Sequence, residues 1–99
     1  MDKFEQVKDV WDKRAHLGIR SGTNDIMLTQ IEQDYIFSEI TANSRILDLG
    51  CGNALSLIRL AKEKKCSGVG VDFSEEMLAV ARAKAKDEKH YDRIEFINR

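Results

Sequence analysis

Two glycines spaced one residue apart, Gly50 and Gly52, constrain this chain more than any other feature, because of what flanks them. Before them lies Arg45-Ile46-Leu47-Asp48-Leu49, a short apolar run of strand character; after them Ala54, Leu57, Ile58 and Ala61 recur at helical steps. Glycines where a strand turns into a helix permit a sharp turn and let a ligand lie against bare backbone. The amides opening the helix then face electron-rich ligand atoms. Twenty positions beyond Gly52, Cys66-Ser67-Gly68-Val69-Gly70-Val71-Asp72 contains a second strand that ends in a carboxylate. That is where an acid can accept hydrogen bonds from ribose hydroxyls. Ser74, a natural N-cap, opens a helix carrying Met77, Val80, Ala81 and Ala85, and Arg93-Ile94-Glu95-Phe96-Ile97 reads as a third strand. Strands alternating with helices imply a parallel sheet with right-handed crossovers, since parallel neighbours cannot be joined by a hairpin. The expected class is α/β, half of a doubly wound fold.

Residues 1–41 have a different pattern. Phe4, Val7, Val10, Trp11 and Ala15 form one stripe of an amphipathic helix that Leu17-Gly18 ends, and the stripe is expected to face inward. Asn24 and Asp25 are suitable N-caps for a second helix presenting Leu28, Ile31, Tyr35 and Ile40 on one face. The division is therefore a helical cap over 1–41 and an incomplete cofactor-binding domain over 42–99. With 99 residues, a second core is excluded, and a net charge of -1 gives no bulk attraction for nucleic acid or anionic lipid. No apolar run approaches the roughly 20 residues that span a bilayer, and the start lacks a signal peptide's apolar segment, so a cytoplasmic location is expected. Cys51 and Cys66 are too few and too far apart for a metal cage, and neither His16 nor His90 has ligand-spaced neighbours; no metal is expected.

The glycines and the second acid suit either a dinucleotide or another adenosine-containing cofactor. Asp48 separates the two readings. A dinucleotide brings its pyrophosphate to this turn, and a carboxylate two residues ahead of the first glycine sets negative charge against it. S-adenosylmethionine has no phosphate there and carries a cationic ammonium and sulfonium. The third glycine of the dinucleotide fingerprint would fall at 55, which is Leu55.

Ile46-Leu47-Asp48-Leu49-Gly50-Cys51-Gly52-Asn53 resembles the first motif of the class I S-adenosylmethionine-dependent methyltransferases, and Gly68-Val69-Gly70-Val71-Asp72-Phe73-Ser74 resembles the second. The match runs from 45 to 82. It implies a Rossmann-like sheet in which Gly50 and Gly52, with Cys51 and Asn53 on the same loop, line the methionine and ribose portion. Asp72 would hold the ribose hydroxyls, Phe73 would pack on adenine, and Asp48 would orient the amino end. Ser74 and Met77 complete the expected cofactor-binding set. Bland readings stand beside these: the glycines could form only a turn, Asp48 could cap nearby amides, Phe73 and Met77 could be core, and Cys51 could be filler. The family's third glycine is Ala54 here, a methyl where the cofactor approaches. Trp11 to Ala15 and Gly22 to Asp25 are similar to the cap of some small-molecule members, where Arg14 or Arg20 could pair with the cofactor's carboxylate.

The resemblance implies methyl transfer from sulfonium to a small-molecule acceptor by in-line displacement, with no catalytic residue identifiable. The family's sheet has seven strands with the first near its middle, and this chain supplies three. The chain is thus expected to be an amino-terminal portion, inactive alone, with an exposed sheet edge open to self-association. The alternatives are a cofactor-binding module without activity of its own and a fragment of an NAD(P)-binding oxidoreductase.

Overall fold

A computed structural model describes residues 2–21, 25–89 and 91–99. Gly22, Thr23 and Asn24, with the capping and cap-motif roles expected of them, and His90 lie outside the described residues. The described elements are helix α1 (Lys3–Arg14), a 3₁₀ turn (Gly18–Arg20), α2 (Ile26–Glu39), β1 (Arg45–Leu49), α3 (Leu55–Lys64), β2 (Ser67–Asp72), α4 (Glu75–Asp87), a second 3₁₀ turn (Tyr91–Arg93) and β3 (Ile94–Asn98). Each long helix but α3 begins on a capping side chain: Asp2 accepts from the Glu5 amide, Asp25 from that of Leu28, and Ser74 from that of Met77.

All three strands run parallel in the order β1-β2-β3, as the alternation of elements requires. Register places Ile46, Gly68 and Ile94 in one row and Asp48, Gly70 and Phe96 in the next, all on the same face. Both crossover helices bury their apolar stripes against that face. Leu57, Ile58 and Ala61 of α3 meet Ala81 and Ala85 of α4 and Ile94 of β3, with Ile46 and Phe96 packed alongside. This core matches the helical periodicity of the sequence almost residue for residue, Leu78 replacing the half-buried Val80 in the buried stripe of α4.

The amino-terminal helices depart from expectation. Neither α1 nor α2 buries a residue within its bounds: Phe4, Val7 and Val10 are exposed, as are Leu28, Ile31 and Tyr35. Of the expected stripe only Ala15, just past the end of α1, is fully buried. The reason is their placement. α1 packs on α4 and α2 on α3, so both extend the helical layer and leave the other face of the sheet open, with Leu47 64% and Leu49 72% exposed. Periodicity correctly identified two helices, but their apolar positions do not face inward, and nothing in the described residues covers them. Polar and cation–π contacts fix α2: Lys64 donates from Nζ to the carbonyls of Phe37 and Ile40, and Arg59 and Lys64 lie 4.1 and 4.3 Å from the Phe37 ring centroid. Among the described residues no helix is long and apolar enough to cross a membrane.

The central strand admits no side chain at 68. A Cβ there would lie 2.2 Å from the Ile46 carbonyl oxygen, a backbone atom that cannot step aside. Gly68→Ala should therefore cost about 3 kcal/mol through overpacking, lowering Tm by roughly 12 to 24 °C in a domain of this size. Thermal unfolding followed by circular dichroism checks this, and an unchanged Tm would contradict the packing described for β2.

Candidate functional site

The carboxyl ends of β1 and β2 open into a cleft of about 510 Å³. Its floor is the turn after β1. The amides of Gly50 and Cys51 both donate to the Val71 carbonyl at 2.7 and 2.9 Å, which binds the start of the turn to β2. Gly50 and Gly52 have φ of 72° and 57°, in the left-handed region that L side chains avoid, so the turn needs glycine at both positions. Ala54 shares this conformation at φ 61°, a strain of about 1 to 2 kcal/mol for a residue with a Cβ. Its methyl does not face the cleft. It is 1% exposed and packs in the core beside Leu57 and Ile58, so the departure from the family's third glycine adds to the core and leaves the ligand space clear.

Asp72 ties the two loops together. Its Oδ2 accepts from the Gly52 amide at 2.8 Å and its Oδ1 from the Ser74 amide at 2.9 Å, with the residue only 7% exposed. Each oxygen keeps further acceptor capacity toward the cleft. Asp72 is thus a loop brace that also lines the cleft, and the bracing role is one the sequence reading did not foresee. Asp48 is different: among the described residues its carboxylate accepts no hydrogen bond, yet it is half-buried. Burial first, and then the neighbouring Asp72 charge, push its pKa above the ordinary value of 3.8. The same causes, burial ahead of Asp48 and Asp72, raise the Cys51 thiol to about 12, so it remains protonated at neutral pH and is no nucleophile. Its sulfur fills space over Gly70, where a Cβ would approach it to 2.9 Å.

Of the nine residues expected at the site, the structure gathers eight around the cleft: Asp48, Gly50, Cys51, Gly52, Asn53, Asp72, Phe73 and Met77. Ser74 lies beneath it, fully buried, its hydroxyl donating to Asp12 while it caps α4. Arg14 is turned to the connector, with Nε donating to the Ser21 carbonyl at 2.8 Å, and Arg20 is not among the cleft's lining residues.

Several lining residues escaped the sequence reading. Trp11, expected in the core, faces the cleft, and Thr29, Glu32, Gln33 and Ile36 of α2 form its outer wall. The polar residues Thr29, Glu32 and Gln33 between apolar positions on α2 were the available signal, but only the docking of α2 on α3 shows which of its faces meets the loop. The described lining contains three carboxylates, Glu32, Asp48 and Asp72, and no lysine, arginine or histidine.

Residues 46–99 match the family model of a methyltransferase domain. Among curated proteins, the chain is 39% identical over 57 residues to the demethylmenaquinone methyltransferase of Lactiplantibacillus plantarum, covering 56% of this chain and 24% of that protein. It is 35% identical over 80 residues to a protein-lysine N-methyltransferase of Schizosaccharomyces pombe, covering 70% of this chain and 34% of that one. Among solved structures, a SAM-dependent methyltransferase from Geobacter sulfurreducens in complex with S-adenosyl-L-homocysteine superposes with a TM-score of 0.64 at 27% identity, over 70% of this chain and 28% of that chain. The matches thus span between about a quarter and a third of these proteins' lengths. With more than half of its residues inside the family model and a Rossmann-like parallel sheet, this chain belongs to the methyltransferase-domain family.

Proposed function

We propose that this chain binds S-adenosyl-L-methionine in the cleft and serves a cytoplasmic methyltransferase whose acceptor is a small molecule. The observation that carries the reading is electrostatic: three carboxylates and no basic side chain line the described cleft, around a glycine turn with bare backbone. Such a lining favours a cationic adenosyl ligand and disfavours a pyrophosphate. The neighbour from Geobacter sulfurreducens, which holds S-adenosyl-L-homocysteine, supports the same ligand class.

The residues present fit this cofactor. Asp48 offers the ligand's ammonium an acceptor that has no partner among the described residues, Asp72 has remaining lone pairs for ribose hydroxyls, and Phe73 offers an apolar face, with the Phe4 ring 5.5 Å away on one side. When bound, S-adenosyl-L-methionine supplies a methyl group on an already activated sulfur. What remains for the chain is to orient the ligand, align an acceptor in line and keep water out; a general base is not required for that step. The free thiols Cys51 and Cys66 fit a reducing compartment. Among the described residues no strand pairs the outer edge of β1, an edge at which self-association would occur.

Two measurements test this reading. Isothermal titration should show S-adenosyl-L-homocysteine binding at least about tenfold more tightly than NAD, a difference of about 1.4 kcal/mol; equal or tighter binding of NAD would contradict it. Asp48→Asn should separate binding from stability. A carboxyl whose folded pKa is raised destabilises the native state fully above that pKa and not at all below the unfolded value of 3.8, so the neutral amide should raise Tm at pH 7 but not below about pH 3.8. The same change should weaken S-adenosyl-L-homocysteine binding roughly tenfold by removing a charge-assisted hydrogen bond. A lower Tm at pH 7 with unchanged binding would show that Asp48 is a structural carboxylate.

A further inference from the structure

The two loops that frame the cleft also hold the amino-terminal segment. From the glycine turn, Asn53 donates its Nδ2 to the Gly18 carbonyl at 2.9 Å, and from the turn after β2, Ser74 donates its hydroxyl to Asp12 Oδ1. Asp12 Oδ2 in turn accepts from Lys8 at 2.6 Å. Asn53 is 5% exposed and Ser74 fully buried, so both donors are withdrawn from competing water while their acceptors, on Gly18 and Asp12, lie nearer the surface. Arg14 draws the connector back onto the end of α1 by donating to the carbonyls of Ser21 and Arg20. These polar bonds matter because the contact of α1 with α4 is thinly apolar: Phe4 meets Phe73 with ring centroids 5.5 Å apart, but the body of α1 buries no residue and only Ala15 beyond it is fully enclosed. Yet α1 and the following turn supply Trp11, Ile19 and Ser21 to the wall of the cleft.

Resting on the ligand reading above, we propose that Asp12 and Asn53 are positioning residues that seat this wall over the cleft, so that seating of α1 and occupancy of the cleft are thermodynamically coupled. A wall with few apolar contacts opens at low free energy. Ligand affinity then follows the fraction of molecules in which the wall is seated, and each bond that seats it raises apparent affinity; Asp12 and Ser74 do so from outside the cleft's lining. The bonds originate on the same two loops that Asp72 braces, so a ligand that orders those loops also orders the partners of Gly18 and Asp12.

Trp11 is the single tryptophan and lies in the moving wall, which makes its fluorescence a direct report of seating. The probe is S-adenosyl-L-homocysteine. In the unsubstituted chain it should shield Trp11 from acrylamide quenching. Asp12→Ala and Asn53→Ala should each leave Trp11 more quenchable without ligand and weaken binding about tenfold, and the double variant should lose at least the product of the two, because both bonds feed one seating equilibrium and affinity follows its competent fraction. Asp12→Asn, which keeps an acceptor oxygen for Ser74, should retain most of the affinity and the shielding; it serves also as the folded control. Weakened affinity with Trp11 quenching unchanged, or unchanged affinity while Trp11 becomes quenchable, would overturn the coupling. Absence of binding in the unsubstituted chain would overturn the ligand reading and the coupling with it, whereas intact binding with unaffected variants overturns the coupling alone.

Discussion

The carboxylate of Asp72 is the interaction on which the site depends. It closes two hydrogen bonds at once, to the amides of Gly52 and Ser74, and so fixes the turn after β1 against the turn after β2. It adds to the bonds from the Gly50 and Cys51 amides to the Val71 carbonyl, and it links the left-handed glycine turn to the residue that caps α4. A charge-assisted bond from a nearly buried carboxylate is worth more than an ordinary amide bond, roughly 1.5 to 3 kcal/mol. From this brace follow the position of the glycine floor, the orientation of Phe73 and, through Asn53 and Ser74, the seat of the amino-terminal helix.

Two carboxylates at one strand-end therefore take different parts. Asp72 has protein donors to satisfy it, while Asp48, one strand away, has none among the described residues and sits half-buried beside the first charge. Keeping an unpartnered carboxylate there costs folding free energy at neutral pH. Such a cost is understandable where a cationic ligand provides the missing partner. Asp12 shows the contrast: burial works to raise its pKa, but donation from Lys8 and Ser74 outweighs burial and holds it below its ordinary value.

Much of this was legible in the residues. Strand β1 matches Arg45–Leu49 to the residue, the helical stripes of α3 and α4 supplied the core, and Ser74 and Asp25 were recognisable as caps, because each of these depends on local spacing and local hydrogen bonds. What the sequence left hidden depended on tertiary placement. Trp11 looks like core by periodicity, and only the packing of α1 on α4 brings it to the cleft. The bracing role of Asp72 requires knowing that Gly52 and Ser74 converge on it. Leu28, Ile31 and Tyr35 form a helical stripe that nothing in the described structure covers, a case in which a correct period does not tell what the stripe meets.

A crystal structure of the chain with S-adenosyl-L-homocysteine tests the central claim most directly, that the cleft between the two turns is a site for a cationic adenosyl ligand. The account predicts the ammonium within hydrogen-bonding distance of Asp48, the ribose hydroxyls on Asp72 and the adenine against Phe73. Ligand density elsewhere on the molecule, or in the cleft with Asp48 and Asp72 both out of contact, would contradict it.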